Sequence, residues 1–158
     1  MNSLVEEELP LRDSQHLRYY LIEILTDADL AYKLPGDNPT LGELCREIGE
    51  LEHRYIQSFK TLKHDWSYQN PDRELANSTE QLKIWYRALD DEFDSILSAL
   101  TEDELHNRHI DRGHGFTPSL FVQFHIYREA VLMFYAKASV YLKALQKPVN
   151  DQWRIGVG

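Results

Sequence analysis

The stretch TPSLFVQFHIYREAVLMFYAKASVYLKALQK, residues 117–147, decides the fold. Thr117 is placed to cap a helix and Pro118 to open it, where a missing N–H costs nothing. Roughly eight turns follow without an internal Gly or Pro. At about 100° per residue, Leu120, Val122, Phe124, Ile126, Tyr127, Val131, Met133, Tyr135, Val140 and Leu142 cover well over half the circumference. A helix that is apolar on so many sides needs neighbours on several of them. Its remaining stripe carries His125, Arg128, Glu129, Ser139 and Lys143, interrupted by Phe121, Leu132 and Ala136. What that stripe faces decides between a site and a solvated surface.

Upstream lie three partners for this helix. After Pro10, Asp13 or Ser14 can cap a first helix whose apolar positions Leu17, Tyr20, Leu21, Ile24, Leu25, Ala28 and Ala31 recur at helical spacing. Leu34, Pro35 and Gly36 stop it. Thr40-Leu41-Gly42-Glu43 is a capping box that opens a second helix, running to about Leu62. Lys63 to Asn77 has no period and reads as a long crossing loop, which frees the next helix to start at either end of the molecule. Ser78-Thr79-Glu80-Gln81 opens a third helix through Leu100, with Asp90, Asp91 and Asp94 exposed on it. Thr101 to Glu104 is a short capped turn. Leu105 to Phe116, with Gly113 and Gly115, is a connector with room for two short strands. Trp153 in the tail is expected to anchor against the helices. Four amphipathic helices, two shorter connections and a long one describe an all-α four-helix bundle.

With 158 residues, 42% hydrophobic and 27% charged, the chain is sized for one domain over residues 1–158 with one sizeable core. No apolar run approaches the ~20 residues of a membrane span. Glu6, Glu7 and Glu8 near the start do not fit a signal peptide, so a cytoplasmic protein is expected. Cys45 is the only cysteine, which excludes internal disulfides and Cys-rich zinc sites. A net charge of −9 opposes non-specific affinity for nucleic acid or anionic membrane.

Chemistry is sparse. His125 and Glu129, four residues apart, stack on one helix face and can share one divalent ion. A third donor has to come from another helix. On the second helix Glu52 projects close to the centre of the apolar face, and Glu47 lies at its edge. A carboxylate at the centre of an apolar stripe must find a partner or leave the core. His106, His109 and His114 cluster in the connector, but Asn107, Arg108, Asp111 and Arg112 around them describe a solvated loop. Cys45 lies on the apolar face of its helix, the position of an inert core thiol.

The run Thr40-Leu41-Gly42-Glu43-Leu44, followed by Glu47 and Glu52, and the closing Tyr141-Leu142-Lys143-Ala144-Leu145 resemble the DinB-like (DinB/YfiT) superfamily. That resemblance implies an up-down-down-up bundle, frequent homodimers, and commonly a metal held by three histidines, one on the second helix and two at i, i+4 on the fourth. It also implies metal-dependent hydrolase or thiol-dependent transferase chemistry on a small molecule in some members. Here the second-helix histidine position corresponds to Glu47. The fourth-helix pair corresponds either to His125 and Glu129 or, counting back from Tyr141-Leu142, to Ala130 and Phe134. The first register gives a site of Glu47, His125 and Glu129 for one divalent ion (Zn, Ni, Mn or Fe), with Glu52 or Arg128 orienting ligands or substrate. The competing expectation is a non-catalytic helical interaction protein without a metal site. A homodimer is expected in either case, because a short, aromatic-rich bundle leaves apolar surface for a partner.

Overall fold

The computed structural model covers residues 1–158 and describes every side chain outside residues 8–11. Four long helices dominate: α2 (Glu8–Glu23), α4 (Leu41–Thr61), α5 (Thr79–Ala99) and α7 (Leu120–Ala144). Short helices flank them: α1 (Ser3–Glu6), α3 (Asp27–Leu30), α6 (Glu102–Asn107) and α8 (Asp151–Gly156), with a 3₁₀ turn at Arg73–Asn77. The chain is all-helical, and among the described residues no helix is long and apolar enough to cross a membrane.

Residue pairs give the helix directions. Tyr86 meets Cys45, Trp85 meets Gly49 and Glu92 meets Gln57, so α4 and α5 run the same way. Tyr127 meets Glu52 and Gln123 meets Ser58, so α7 runs against α4. Asp90 meets Arg18 and Lys83 meets Glu23, so α2 runs against α5. α4 packs on α5 and α7, and α2 packs on the same two helices. The core between them holds Leu21, Leu44, Ile48, Ile56, Phe59, Phe93, Phe124 and Val131, all almost fully buried.

The capping box at Thr40 forms as its residues dictate, with the Thr40 N–H donating to Glu43 Oε2 at 2.7 Å and the Glu43 N–H donating to Thr40 Oγ1 at 3.1 Å. Three helix ends differ from expectation. α2 starts at Glu8, ahead of Asp13 and Ser14; Pro10 falls among the residues whose side chains lie outside the described ones. The same helix stops at Glu23, because Thr26 and Asp29 form a capping box of their own and open α3 before Ala28 and Ala31 can extend α2. α7 begins at Leu120 with Ser119 as its cap, since the Pro118 carbonyl instead accepts from the Ile110 N–H at 2.9 Å. That bond holds Pro118 in the connector and delays the helix by two residues.

The strands with room between Leu105 and Phe116 do not form among the described residues. α6 runs to Asn107 and only isolated bridges remain, His109 with Ser119 and Lys63 with Asp111. Gly113 and Gly115 take positive φ, which turns the chain too tightly for a ladder. Trp153 is 0% exposed and its indole N–H donates to Ser139 Oγ at 3.1 Å, so the tail is pinned across α7. The crossing loop is pinned too: Glu50 accepts from the Asn70 N–H at 2.9 Å, and the Arg54 Nε–H donates to the Tyr68 carbonyl at 3.1 Å.

Candidate functional site

Glu52 does find a partner. Its carboxylate pairs with Arg18 of α2, and Oε1 accepts from the Tyr127 hydroxyl at 2.7 Å. The other side of the guanidinium reaches Asp90 Oδ1 at 2.5 Å and lies 4.4 Å from the Tyr86 ring. Tyr19 closes the group by donating to Asp90 Oδ2 at 2.7 Å. Burial works against the Arg18 charge, but Asp90, with smaller contributions from Tyr135 and Tyr127, outweighs it and keeps the group cationic. Burial and the bond to Asp90 push the Tyr19 hydroxyl up to about 12. All four long helices contribute a member, so the network ties them together where they meet. A site that encloses its charges this completely is a structural device before it is a reactive one.

A second centre lies between the early turns of α4, the later turns of α7 and the loop before α4. A cavity of about 360 Å³ is lined by Leu34, Asn38, Pro39, Leu44, Glu47, Lys137, Val140 and Tyr141. Among the described residues that line it, Glu47 and Lys137 are the charged ones. Burial raises the Glu47 pKa, with Lys137 pulling it back. The Lys137 ammonium sits 4.2 Å from the Phe134 ring centre, a cation–π contact that fixes it at the cavity edge. The Tyr141 hydroxyl donates to the Pro39 carbonyl at 2.6 Å, tying the loop before α4 to α7 and closing the far wall.

Glu47, His125 and Glu129 are not brought together. Lys137, the α7 residue beside Glu47, lies eight residues beyond Glu129 and twelve beyond His125, about 12 and 18 Å along the helix at 1.5 Å per residue. His125 instead packs between the rings of Phe121 and Phe124, 4.7 and 5.9 Å away, near α6. Glu129 is exposed. The i, i+4 spacing put that pair on one face correctly but carried no information about the level of Glu47. The other register fares no better as a metal site. Ala130 and Phe134 carry no donor atom, and Lys137 beside Glu47 repels a cation. Among the described residues no group of three or more His, Cys, Asp or Glu side chains is gathered as a metal would require. The residues present do not fit a tri-histidine-type metal.

The remaining candidates resolve into local roles. Arg128 does not pair with Glu52; its Nε is buried without a hydrogen-bond partner among the described residues. His106 bonds Glu102 at 2.9 Å and His109 bonds the Asn107 carbonyl at 3.0 Å, while His114 sits exposed on a turn. Cys45 is fully buried, and burial pushes its thiol up to about 12.

Sequence reasoning missed Arg18 and His64. Arg18 follows Leu17 and precedes Leu21 by one turn, so it lies on the apolar stripe of its helix; a charge there opposite an unpaired Glu52 was the available signal. His64, read as loop, is 4% exposed. The Gln123 amide donates to its Nδ1 at 3.2 Å, and Tyr55 and Trp66 pack on its ring. No periodic pattern marks it.

Comparison with known proteins agrees with this architecture. The model of the DinB family matches residues 11–130. A crystal structure of a DinB-like protein from Bacillus subtilis superposes with a TM-score of 0.68 at 16% identity, over 87% of this chain and 90% of that one, a likeness of fold alone. No curated protein matches. A family match across most of the chain, joined to the same fold, establishes that the chain belongs to the DinB family.

Proposed function

We propose that this DinB-family chain, read as an up-down-down-up four-helix bundle, binds a small organic molecule in the α4–α7 cleft without a metal ligand set. One observation carries the proposal. The cavity places a single carboxylate, Glu47, and a single ammonium, Lys137, in a wall otherwise built from Leu34, Pro39, Leu44 and Val140 with Asn38 and Tyr141. Its volume of about 360 Å³ falls in the range of small-molecule pockets, about 300–1,000 Å³. The ligand this chemistry suits has a short apolar body, a donor such as an amine for Glu47, and an anionic or carbonyl oxygen for Lys137. Burial raises the Glu47 pKa and Lys137 opposes that rise, so a cationic group on the ligand would favour the charged carboxylate.

A thermal-shift panel of amino acids, short amines and short carboxylic acids, run beside Mn²⁺, Ni²⁺ and Zn²⁺, tests this. Panel members are expected to stabilise the wild type and to lose the effect in Glu47→Gln and Lys137→Met, with no metal shift. An ion bound at a hundredfold excess over its Kd would add about 2.7 kcal/mol. Such a gain, lost in Glu47→Gln, would favour a metal-dependent hydrolase or transferase instead.

A further inference from the structure

Where α4 hands over to the crossing loop, hydrogen-bond donors gather without acceptors. Gln123 of α7 stands there between three side chains. Its Oε1 accepts from Arg112 Nη1 at 2.7 Å, and its amide nitrogen donates to Ser58 Oγ at 2.9 Å and to His64 Nδ1 at 3.2 Å. A guanidinium has no acceptor, so the orientation of the Gln123 amide is fixed by Arg112. His64 Nδ1 is then the acceptor, and the neutral ring carries its proton on Nε2. That Nε2–H is buried, in a residue 4% exposed, and meets no partner among the described residues.

Arg112 is the second donor. Arg18, Arg46 and Arg54 each face a carboxylate, whereas Arg112, half-buried, forms no ion pair among the described residues. Its guanidinium lies 5.4 Å from the Tyr55 ring and 4.8 Å from the Trp66 ring, the same two rings that pack on His64 at 4.7 and 4.2 Å. Both donors therefore share one aromatic frame. Asp65 and Asp111, the acids next to them in the chain, turn Oδ1 to the N–H groups of Ser67 and Gly113, at 2.9 and 2.8 Å. At His64 the charges of Arg112 and Arg54 outweigh that of Asp65. Trp66, 55% exposed, covers the frame and is held by one bond, from its indole N–H to the Arg112 carbonyl at 3.1 Å.

A buried N–H and a half-buried guanidinium that both lack an acceptor are the receiving side of an anion site. We propose that His64 Nε2–H and Arg112 bind the phosphate group of a small ligand beneath Trp66. Phosphate brings close to two negative charges and three acceptor oxygens, so one oxygen takes the His64 N–H while the others take the remaining N–H groups of Arg112. A carboxylate has two oxygens in one plane and is used up by a single guanidinium fork. Trp66 swings aside to admit the phosphate, and its indole then lies against any ring that the phosphate carries. The site stands apart from the cleft of Glu47, since Glu47 and the end of α4 at Thr61 are fourteen residues apart, about 21 Å of helix. It does not depend on what the cleft binds.

Titration of the full chain in phosphate-free buffer with inorganic phosphate and with phenyl phosphate tests the proposal, read by tryptophan emission and by the ¹⁵N shifts of the His64 ring. Saturation is expected in the wild type and equally in Glu47→Gln with Lys137→Met, with His64 Nε2 shifting, while sodium chloride at the same ionic strength has no such effect. Phenyl phosphate binding the tighter, with its advantage lost in Trp66→Ala, supports an organic phosphate as the ligand. Equal affinities support free phosphate. Arg112→Met is expected to raise the Kd at least about tenfold, the loss of one charge-assisted hydrogen bond, and Arg112→Lys to raise it less. Circular dichroism melts check that each variant is folded, and the His64 shift in the wild type stands without them. Absence of saturation with both probes would overturn the proposal and leave a bridging water as the partner of His64. Binding that leaves His64 Nε2 unmoved, or that is unchanged in a folded Arg112→Met, would overturn it too.

Discussion

Arg18 and Glu52, 34 positions apart in sequence, form an ion pair with side chains 0% and 3% exposed at the meeting point of the four long helices. Asp90, Tyr127 and Tyr19 complete the network around them. Two charges removed from water are tolerable only together, because either one alone keeps its desolvation cost without its partner.

Arg18→Met or Glu52→Leu is therefore expected to lower unfolding stability by about 3–5 kcal/mol, the usual result of removing one partner of a buried pair. Arg18→Met combined with Glu52→Leu is expected to cost less than the two single losses summed, since neither member of this pair is left without the other, while Asp90 keeps the Tyr19 hydroxyl as a partner. Urea unfolding of the four proteins measures the coupling directly. Additive losses would show that the pair is not mutually dependent.

Gly42 sits where α4 passes the 3₁₀ turn. A Cβ built there would lie 1.8 Å from the Ala76 carbonyl oxygen, which is backbone and cannot rotate away. Gly42→Ala is expected to destabilise by about 1–3 kcal/mol or more, the cost of overpacking. At Gly49 the obstacle is the Trp85 ring, 2.4 Å from such a Cβ. Trp85 is only half-buried, so Gly49→Ala is expected to be the milder change. Equal thermal shifts for the two variants would contradict this distinction.

His64 gives stability a pH dependence. Burial, then the charges of Arg112 and Arg54, depress its pKa from the ordinary 6.5 to about 4, against a smaller opposing pull from Asp65. Between those values the unfolded chain binds a proton that the folded chain does not. The contribution is fully present above about pH 6.5 and is lost as the pH falls through 4. The melting temperature is expected to drop from pH 7 to pH 4.5, and to drop less in His64→Asn, which keeps an acceptor for Gln123 but cannot take up the proton. An identical pH profile in the variant would remove His64 as the cause.

Much of the fold was legible because its signals are local. The Thr40 box, the Ser78 cap and the apolar periods of α4, α5 and α7 lie within a few residues of what they control. The helix ends that differed were decided by competition between neighbours: Thr26 with Asp29 captured residues that also fitted α2, and Pro118 was claimed by Ile110. The centrality of Glu52 was visible, yet its partner Arg18 was not named, because a helical stripe shows which face a residue occupies and not which helix stands opposite. The same limit separated Glu47 from His125 and Glu129. Their faces were readable, while their levels along the bundle depend on how far α7 slides against α4. The cleft of Glu47 and Lys137 follows from that level and could not be read from spacing.

The most direct test of the cleft assignment is amide chemical-shift mapping of the isotope-labelled chain with the amine and carboxylate compounds that stabilise it. The expected result is a set of perturbations concentrated at Leu34, Asn38, Leu44, Glu47, Lys137 and Tyr141, saturating with ligand and absent in Glu47→Gln with Lys137→Met. Perturbations elsewhere in the chain, or an unchanged titration in that double variant, would contradict the assignment of this cleft as the binding site.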